Sequence, residues 1–203
     1  MTFIIWGRLN SHNVKKVAWL ALEAGIAHER RDIGGPFGFT DDYLAMNPNR
    51  LIPTIEDHGF VLWESNAILR YMASQYAGEL WPTDLQLRAS ADRWMDWQMS
   101  YADAQRDAFV NLVRKAPADR DMAAVAKSAK LAGEMTAILD DALSRQPWLS
   151  GGDFGIGDIP MGVSIHSWFT LDIERPERPH VRAWYEKLKA RPAYAATVMI
   201  PLT

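Results

Sequence analysis

The sequence contains no cysteine. This absence excludes disulfide bridges, cysteine-ligated zinc and a cysteine nucleophile, so any reactive thiol must come from a ligand. Long apolar runs are absent too, because no stretch approaches the roughly 18 residues that a membrane-spanning helix needs. The opening MTFIIWGRLN lacks the basic stretch and the long apolar core of a secretory signal. We therefore expect a cytoplasmic protein that does not act at a membrane.

Neither sign of charge dominates the chain. It has 22 Lys and Arg against 25 Asp and Glu, a net charge of -3 at pH 7, so no strong overall field attracts nucleic acid or an anionic surface. The five histidines show no spacing typical of a metal site, and no Gly-rich nucleotide-binding motif is present. We expect no nucleic-acid partner, no metal and no bound cofactor.

The first 78 residues alternate short apolar runs with amphipathic stretches. The pattern predicts strands at 2–6, 28–33, 53–56 and 60–63 and helices at 12–25, 40–46 and 65–76. This β-α-β-α-β-β-α order is typical of a small mixed sheet with helices packed against it. Ser65 is predicted to be the N-cap of the third helix.

The rest of the chain predicts only helices. They fall at 85–116, 121–145, 158–171 and 180–190, with prolines between or outside them. The intervening segment 79–86 contains Trp81-Pro82 and predicts a linker. The predicted fold class is therefore α/β plus all-α, with an α/β domain at 1–78, a linker at 79–86 and an all-helical domain at 87–203.

Three short motifs in the first domain resemble those of one family. They are Asn10-Ser11-His12-Asn13, the loop Asn47-Pro48-Asn49-Arg50-Leu51-Ile52-Pro53, which is similar to NPxGxVP, and the segment from Glu64 to Met72, which is similar to E-S-x-A-I-x-x-Y-L. In this order, and followed by a helical half, they resemble the glutathione transferase superfamily over nearly the whole chain. The resemblance implies a thioredoxin-like first domain, glutathione as co-substrate without another cofactor, and a homodimer.

Glu64 and Ser65 suit one end of glutathione. The start of a helix offers free backbone N–H groups and the positive end of the helix dipole, which together attract an anion. Glu64 adds an acceptor for an ammonium group. The pair therefore matches the zwitterionic γ-glutamyl end. The alternative is that Ser65 only caps its helix and Glu64 is a surface carboxylate.

The loop before the third predicted strand is the second candidate binding element. Pro53 forces Ile52 towards an extended conformation, and extended backbone can pair with a peptide ligand. The resemblance implies that Pro53 is cis and that the residue before it bonds the cysteinyl backbone of glutathione.

The loop departs from the family pattern at two positions. Arg50 stands where the family usually has glycine, and Leu51 stands where it often has a polar group for the glycine carboxylate of glutathione. Either Arg50 reaches that carboxylate, or it points to solvent and another basic residue takes its place, the candidates being Arg8, Lys15 and Lys16.

Ser11 is the leading candidate for thiol activation. A free thiol titrates near about 8.5, and a hydroxyl donor at a helix start, aided by the dipole, stabilises the thiolate. Asn13 lies two residues further, a spacing that resembles bacterial members of the family, and is a partner or a rival. Asn10 is a third candidate. The alternative is that Ser11 only caps its helix.

The electrophile site is predicted from an aromatic face. Trp94, Trp97, Gln98 and Tyr101 recur at helical spacing. Trp97 and Tyr101, together with Phe37 from the Gly-rich segment 34–38, are candidates for a pocket. The alternative is that the face belongs to the core or to a domain interface. We predict conjugation of glutathione to a small hydrophobic electrophile. The alternatives are disulfide or peroxide reduction, glutathione-dependent isomerisation or dehalogenation, and ligand binding without catalysis.

Gly155 and Asp158 resemble the capping box of the family's helical domain, with glycine in place of the usual Ser or Thr cap. We expect Asp158 to be structural.

Overall fold

A computed structural model describes residues 2–203, which form two compact units. One extends to Pro82 and includes Pro192–Pro201, and the other comprises Thr83–Arg191 with the last two residues. The helices are α1 (His12–Glu23), α2 (Asp41–Met46), α3 (Ser65–Tyr76), α4 (Leu85–Phe109), α5 (Met122–Arg145), α6 (Asp158–Thr170), α7 (Pro179–Lys189) and α8 (Pro192–Thr197).

The first unit is built on a mixed sheet with the order β2-β1-β3-β4. Its strands are β1 (Phe3–Trp6), β2 (His28–Arg31), β3 (Thr54–Asp57) and β4 (Phe60–Trp63). The central strand β1 is parallel to β2 and antiparallel to β3, with Trp6 opposite Thr54. The end of β1 and the start of β3 therefore lie at the same edge of the sheet. Two of the three motif segments, the one after β1 and the one before β3, meet there.

The helix α1 is buried by other elements of the first unit. It packs against α3 and against α8, and the rings of Trp19 and Tyr194, both fully buried, meet edge to face with centroids 4.7 Å apart. This packing is why residues 192–201 belong to the first unit, although the sequence suggested that they continue the helical domain. The predicted α/β architecture of the first domain is confirmed.

The second unit consists of helices, as predicted. The helix α4 packs against α5 and α6, and α5 packs against α7. The prediction of one helix over 85–116 is wrong at its end, because α4 stops at Phe109 and the chain continues as a π-helical turn over Val110–Arg114. Within residues 2–203, no helix has both the length and the apolar content required to cross a bilayer.

Asp158 organises the start of α6. Its buried carboxylate accepts hydrogen bonds from the backbone N–H groups of Leu149, Ser150 and Gly155 and from the indole of Trp184. The bond from Gly155 is the surviving half of the predicted capping box. Burial raises the pKa of Asp158, and these hydrogen bonds oppose that rise. The residue is structural, as predicted.

Candidate active site

A small cavity in the first unit brings the predicted binding segments together. It is bordered by residues from α1, from the loop before β3 and from the start of α3, namely Asn13, Asn47, Asn49, Leu51, Ile52, Pro53, Glu64 and Ser65. Ser11, Arg50 and Phe37 are not among its lining residues. The sheet topology accounts for the meeting of the first two segments, because β1 ends where β3 begins.

The third segment has an unusual backbone. Ser65 is the first residue of α3, and Glu64 occupies the cap position with φ 73° and no capping bond from its side chain. The prediction of Ser65 as the N-cap is therefore wrong by one residue. A non-glycine residue at such a φ is strained, and strain of this kind clusters at ligand-binding segments.

The start of α3 leaves backbone donors available. The first intrahelical bond runs from the N–H of Ile68 to the carbonyl of Glu64, at 2.9 Å. The N–H groups of the three residues before Ile68 consequently have no intrahelical acceptor. Ser65, which is 6% exposed, lies where these donors and the dipole favour an anion.

The loop before β3 presents open backbone. The Ile52–Pro53 peptide is cis, as the resemblance implies. Neither the N–H nor the carbonyl of Ile52 has a hydrogen-bonding partner within residues 2–203. Ile52 is partly exposed and borders the cavity, so both groups are available to an extended ligand.

Two side chains that the sequence analysis did not single out hold this loop. The buried amide of Asn47 donates to the carbonyl of Leu51 at 3.0 Å and to the hydroxyl of Thr54 at 3.1 Å. The Tyr43 hydroxyl donates to the same Leu51 carbonyl at 2.6 Å, and Asn47 also accepts from the N–H of Asn49 at 3.1 Å. Asparagine directly after a helix is a signal for such a turn.

The basic residues are placed differently from one another. Arg50 is exposed, with φ 56°, and Leu51 has an exposed side chain. Lys15 is buried and donates to the carbonyl of Val198 at 3.0 Å, so it is not available to the glycine carboxylate of a ligand. Lys16 is also buried, and its Nζ lies 3.4 Å from the Ser65 hydroxyl.

Burial also changes the acidity of these lysines. It lowers the pKa of Lys15 to about 8. It lowers the pKa of Lys16 to about 7, although the negative charge of Glu64 opposes the fall.

Ser11 is the N-cap residue of α1, but its side chain makes no capping hydrogen bond. The alternative that the hydroxyl serves only as a cap is therefore not supported. Ser11 is partly exposed, and Asn13, in the first turn of α1, is exposed and borders the cavity.

The candidate electrophile residues belong to different units. In the first unit, Phe37 ends a short turn and is 58% exposed. In the second, the ring of Trp97 is stacked on that of Tyr101, with centroids 5.8 Å apart. Tyr101 is fully buried, which raises its pKa, so it contributes to the core of the second unit. Trp97 is partly exposed and borders a cavity between α4 and α5.

Among the described residues, no cluster of three or more His, Asp or Glu side chains is arranged to bind a metal ion.

Comparison with known proteins extends these observations. The family model described as "Glutathione S-transferase, N-terminal domain" matches residues 10–75. Glutathione S-transferase GstB of Escherichia coli (strain K12) is 41% identical over 205 residues, covering 98% of this chain and 99% of that protein. The disulfide-bond oxidoreductase YfcG of the same strain is 27% identical over 169 residues, covering 80% of this chain and 78% of that protein.

A solved structure agrees with these relatives. The theta class glutathione S-transferase from the citrus canker pathogen Xanthomonas axonopodis pv. citri, solved with glutathione bound, matches with a TM-score of 0.97 and 51% identity. The match covers 100% of this chain and 99% of that one. This chain belongs to the glutathione S-transferase family.

Proposed function

We propose that the protein binds glutathione at the cavity of the first unit and conjugates its thiolate to small hydrophobic electrophiles. One observation carries the proposal: Ser65 at the start of α3, where backbone donors are available, the acidic residue Glu64 and Ile52 with its open backbone all border the same cavity. These groups complement, in order, a carboxylate, an ammonium group and a peptide backbone.

Each end of the tripeptide has a counterpart. The α-carboxylate of the γ-glutamyl residue accepts from the N–H and hydroxyl of Ser65, and its ammonium group pairs with Glu64. The cysteinyl backbone bonds to the N–H and carbonyl of Ile52 in the manner of an added strand. Arg50, the exposed basic residue of the loop before β3, pairs with the glycine carboxylate. The glutathione bound in the related Xanthomonas structure supports this assignment of ligand.

The hydroxyl of Ser11 donates to the glutathione sulfur and favours the thiolate, with Asn13 in support. Lowering the thiol pKa by two units requires about 2.7 kcal/mol. A hydrogen bond to a charged group contributes about 1.5–3 kcal/mol and the helix dipole about 0.3–1 kcal/mol, so the required amount lies within the range that the two supply together. The absence of a capping bond on Ser11 leaves the hydroxyl available for this role.

The thiolate then attacks the electrophilic carbon. A carbon–sulfur bond forms as the bond to the leaving group breaks, and the leaving group departs with the electron pair. Phe37, which is 58% exposed in the first unit, is the aromatic candidate for contact with the apolar part of the substrate. We place this chemistry in the cytoplasm, in a homodimer that detoxifies reactive compounds.

Disulfide reduction is the second candidate, favoured by the relation to the oxidoreductase YfcG. Because the chain has no cysteine, two glutathione molecules must supply the sulfur. The first thiolate attacks the disulfide and releases a thiol, and the second attacks the mixed disulfide to give oxidised glutathione and the other thiol.

An activity panel separates these functions. Retention on immobilised glutathione tests binding, and turnover of a chlorinated nitroaromatic, a hydroxyethyl disulfide and a hydroperoxide tests the reaction. Conjugation in excess of reduction supports the first proposal, and the reverse supports the second. Retention without any turnover indicates a binding protein, and failure of both retention and turnover overturns the proposal.

A further inference from the structure

Two adjacent lysines of α1 are buried, and they have different surroundings. Lys15 and Lys16 are each 1% exposed. The Nζ of Lys15 bonds to the carbonyl of Val198, just after α8. The Nζ of Lys16 lies 3.4 Å from the hydroxyl of Ser65 and 3.4 Å from the side-chain oxygen of Asn66. A buried ammonium group therefore stands against the first turn of α3, within the protein interior.

The contact with Lys16 dictates the direction of the Ser65 hydroxyl. In its charged form the Lys16 amine only donates hydrogen bonds, so the Ser65 oxygen then accepts from Lys16. The hydroxyl proton of Ser65 is then left to point to another acceptor. Ser65 borders the cavity and Lys16 does not, so an anion bound in the cavity can serve as that acceptor.

The positive charge of Lys16 also favours an anion at the start of α3. A charge in the protein interior is screened much less than one in water, so its effect on an anion a few ångströms away is correspondingly larger. It adds to the partial positive charge at the start of α3.

We propose that Lys16 is a positioning residue for the α-carboxylate of glutathione. It orients the hydroxyl of Ser65 as a donor and supplies a buried positive charge behind the carboxylate. The inference rests on the proposed function, since it assigns a role within the same glutathione site. It makes recognition of the γ-glutamyl end depend on a residue that does not touch the ligand.

The electrostatic surroundings of Lys16 are consistent with this role. Its pKa of about 7 reflects burial, opposed by the charge of Glu64. Of the other elements packed on α1, β1 has no ionisable side chain, and α8 has only Tyr194, whose ring contacts Trp19. The later ionisable residues of α3 are Arg70, Tyr71 and Tyr76. An arriving carboxylate favours the charged form of Lys16, so affinities are best compared below its pKa.

The test compares two ligands that differ only in the carboxylate. Glutathione and γ-aminobutyryl-cysteinylglycine, in which hydrogen replaces the α-carboxylate, are titrated into the wild type, Lys16→Met and Lys15→Met by calorimetry. We expect Lys16→Met to lower the affinity for glutathione about tenfold or more and to leave the affinity for the analogue unchanged. Lys15→Met removes an equally buried lysine from the same helix and should preserve the preference for glutathione.

The outcomes are distinct. Equal weakening of both ligands by Lys16→Met would mean a structural role and overturn the inference, as would an unchanged affinity for glutathione. If Lys16→Met does not fold, Lys16→Gln replaces it, because glutamine still donates to Ser65 but carries no charge. If the wild type binds neither ligand, the proposed function fails instead.

Discussion

The side-chain amide of Asn47 donates a hydrogen bond of 3.0 Å to the carbonyl oxygen of Leu51. The same amide bonds to Thr54 at the start of β3, and the Tyr43 hydroxyl contacts both acceptors. The conformation of the loop that presents Ile52 is therefore held by side chains anchored on and just after α2.

Replacement of Asn47 by alanine should affect stability and binding together. Loss of a buried amide that serves several partners is expected to lower the free energy of unfolding by about 1–3 kcal/mol and to raise the KM for glutathione more than it lowers kcat. Denaturant unfolding and steady-state kinetics measure the two effects. Tyr43→Phe, which retains the ring but loses the hydroxyl, should also lower the free energy of unfolding and raise the KM for glutathione. An unchanged KM in Asn47→Ala would show that the loop does not depend on this side chain.

Gly7 at the end of β1 is required by close packing. Its φ is 142°, and a Cβ there would lie 2.5 Å from Val14 Cγ2 and 3.2 Å from Ile52 Cβ. We expect Gly7→Ala to destabilise the protein by about 3 kcal/mol or more, since strain at this φ adds to overpacking. Gly25→Ala is the matched control: its φ is 64°, but a Cβ would meet nothing within 4 Å, so only about 1–2 kcal/mol is expected. If thermal or denaturant unfolding shows that Gly7→Ala and Gly25→Ala lose equal stability, the packing explanation is excluded.

Locally encoded parts of the fold were predictable from the sequence. The strand Phe60–Trp63 and the helix Ser65–Tyr76 occur at the predicted residues, because a turn signal, apolar periodicity and a polar residue at the helix start are short-range features. The motif loops that border the cavity could be identified for the same reason.

Long-range packing could not be predicted in this way. Lys15 and Lys16 are charged residues whose burial depends on α3 and α8, elements that are distant in sequence. The place of α8 beside α1 is likewise set by tertiary contact. The positive φ of Glu64 has no signal either, since glutamate does not mark a left-handed position as glycine does.

Ser11 and Asn13 should differ in their effect on the thiol. Ser11→Ala is expected to raise the pKa of bound glutathione by about one to two units and to reduce kcat/KM about tenfold or more, because about 1.5–3 kcal/mol of hydrogen bonding to the thiolate is lost. Asn13→Ala should have a smaller effect. The thiolate absorbance of the enzyme–glutathione complex, followed against pH, measures the shift directly. If the thiolate of glutathione bound to Ser11→Ala titrates at the same pH as in the wild type, the role passes to Asn13 or Asn10.

The two buried lysines should make stability depend on pH. Their pKa values of about 8 and about 7 in the folded protein lie below the unfolded value near about 10.4. Between these values the unfolded chain binds more protons, so the contribution of these groups to stability increases with pH from about 7 to about 10. The rise of the unfolding temperature with pH should therefore be steeper in the wild type than in Lys15→Met or Lys16→Met. Parallel curves would contradict the lowered pKa values.

Glutathione binding through Glu64 and Ser65 is the central claim, and calorimetric titration of glutathione into the wild type, Glu64→Ala and Ser65→Ala tests it most directly. We predict binding of one glutathione per chain in the wild type, and an affinity about tenfold lower or worse in each variant, because each loses a charged hydrogen bond to the γ-glutamyl end. Circular dichroism of both variants verifies that they are folded. Wild-type affinity in both folded variants would contradict the claim.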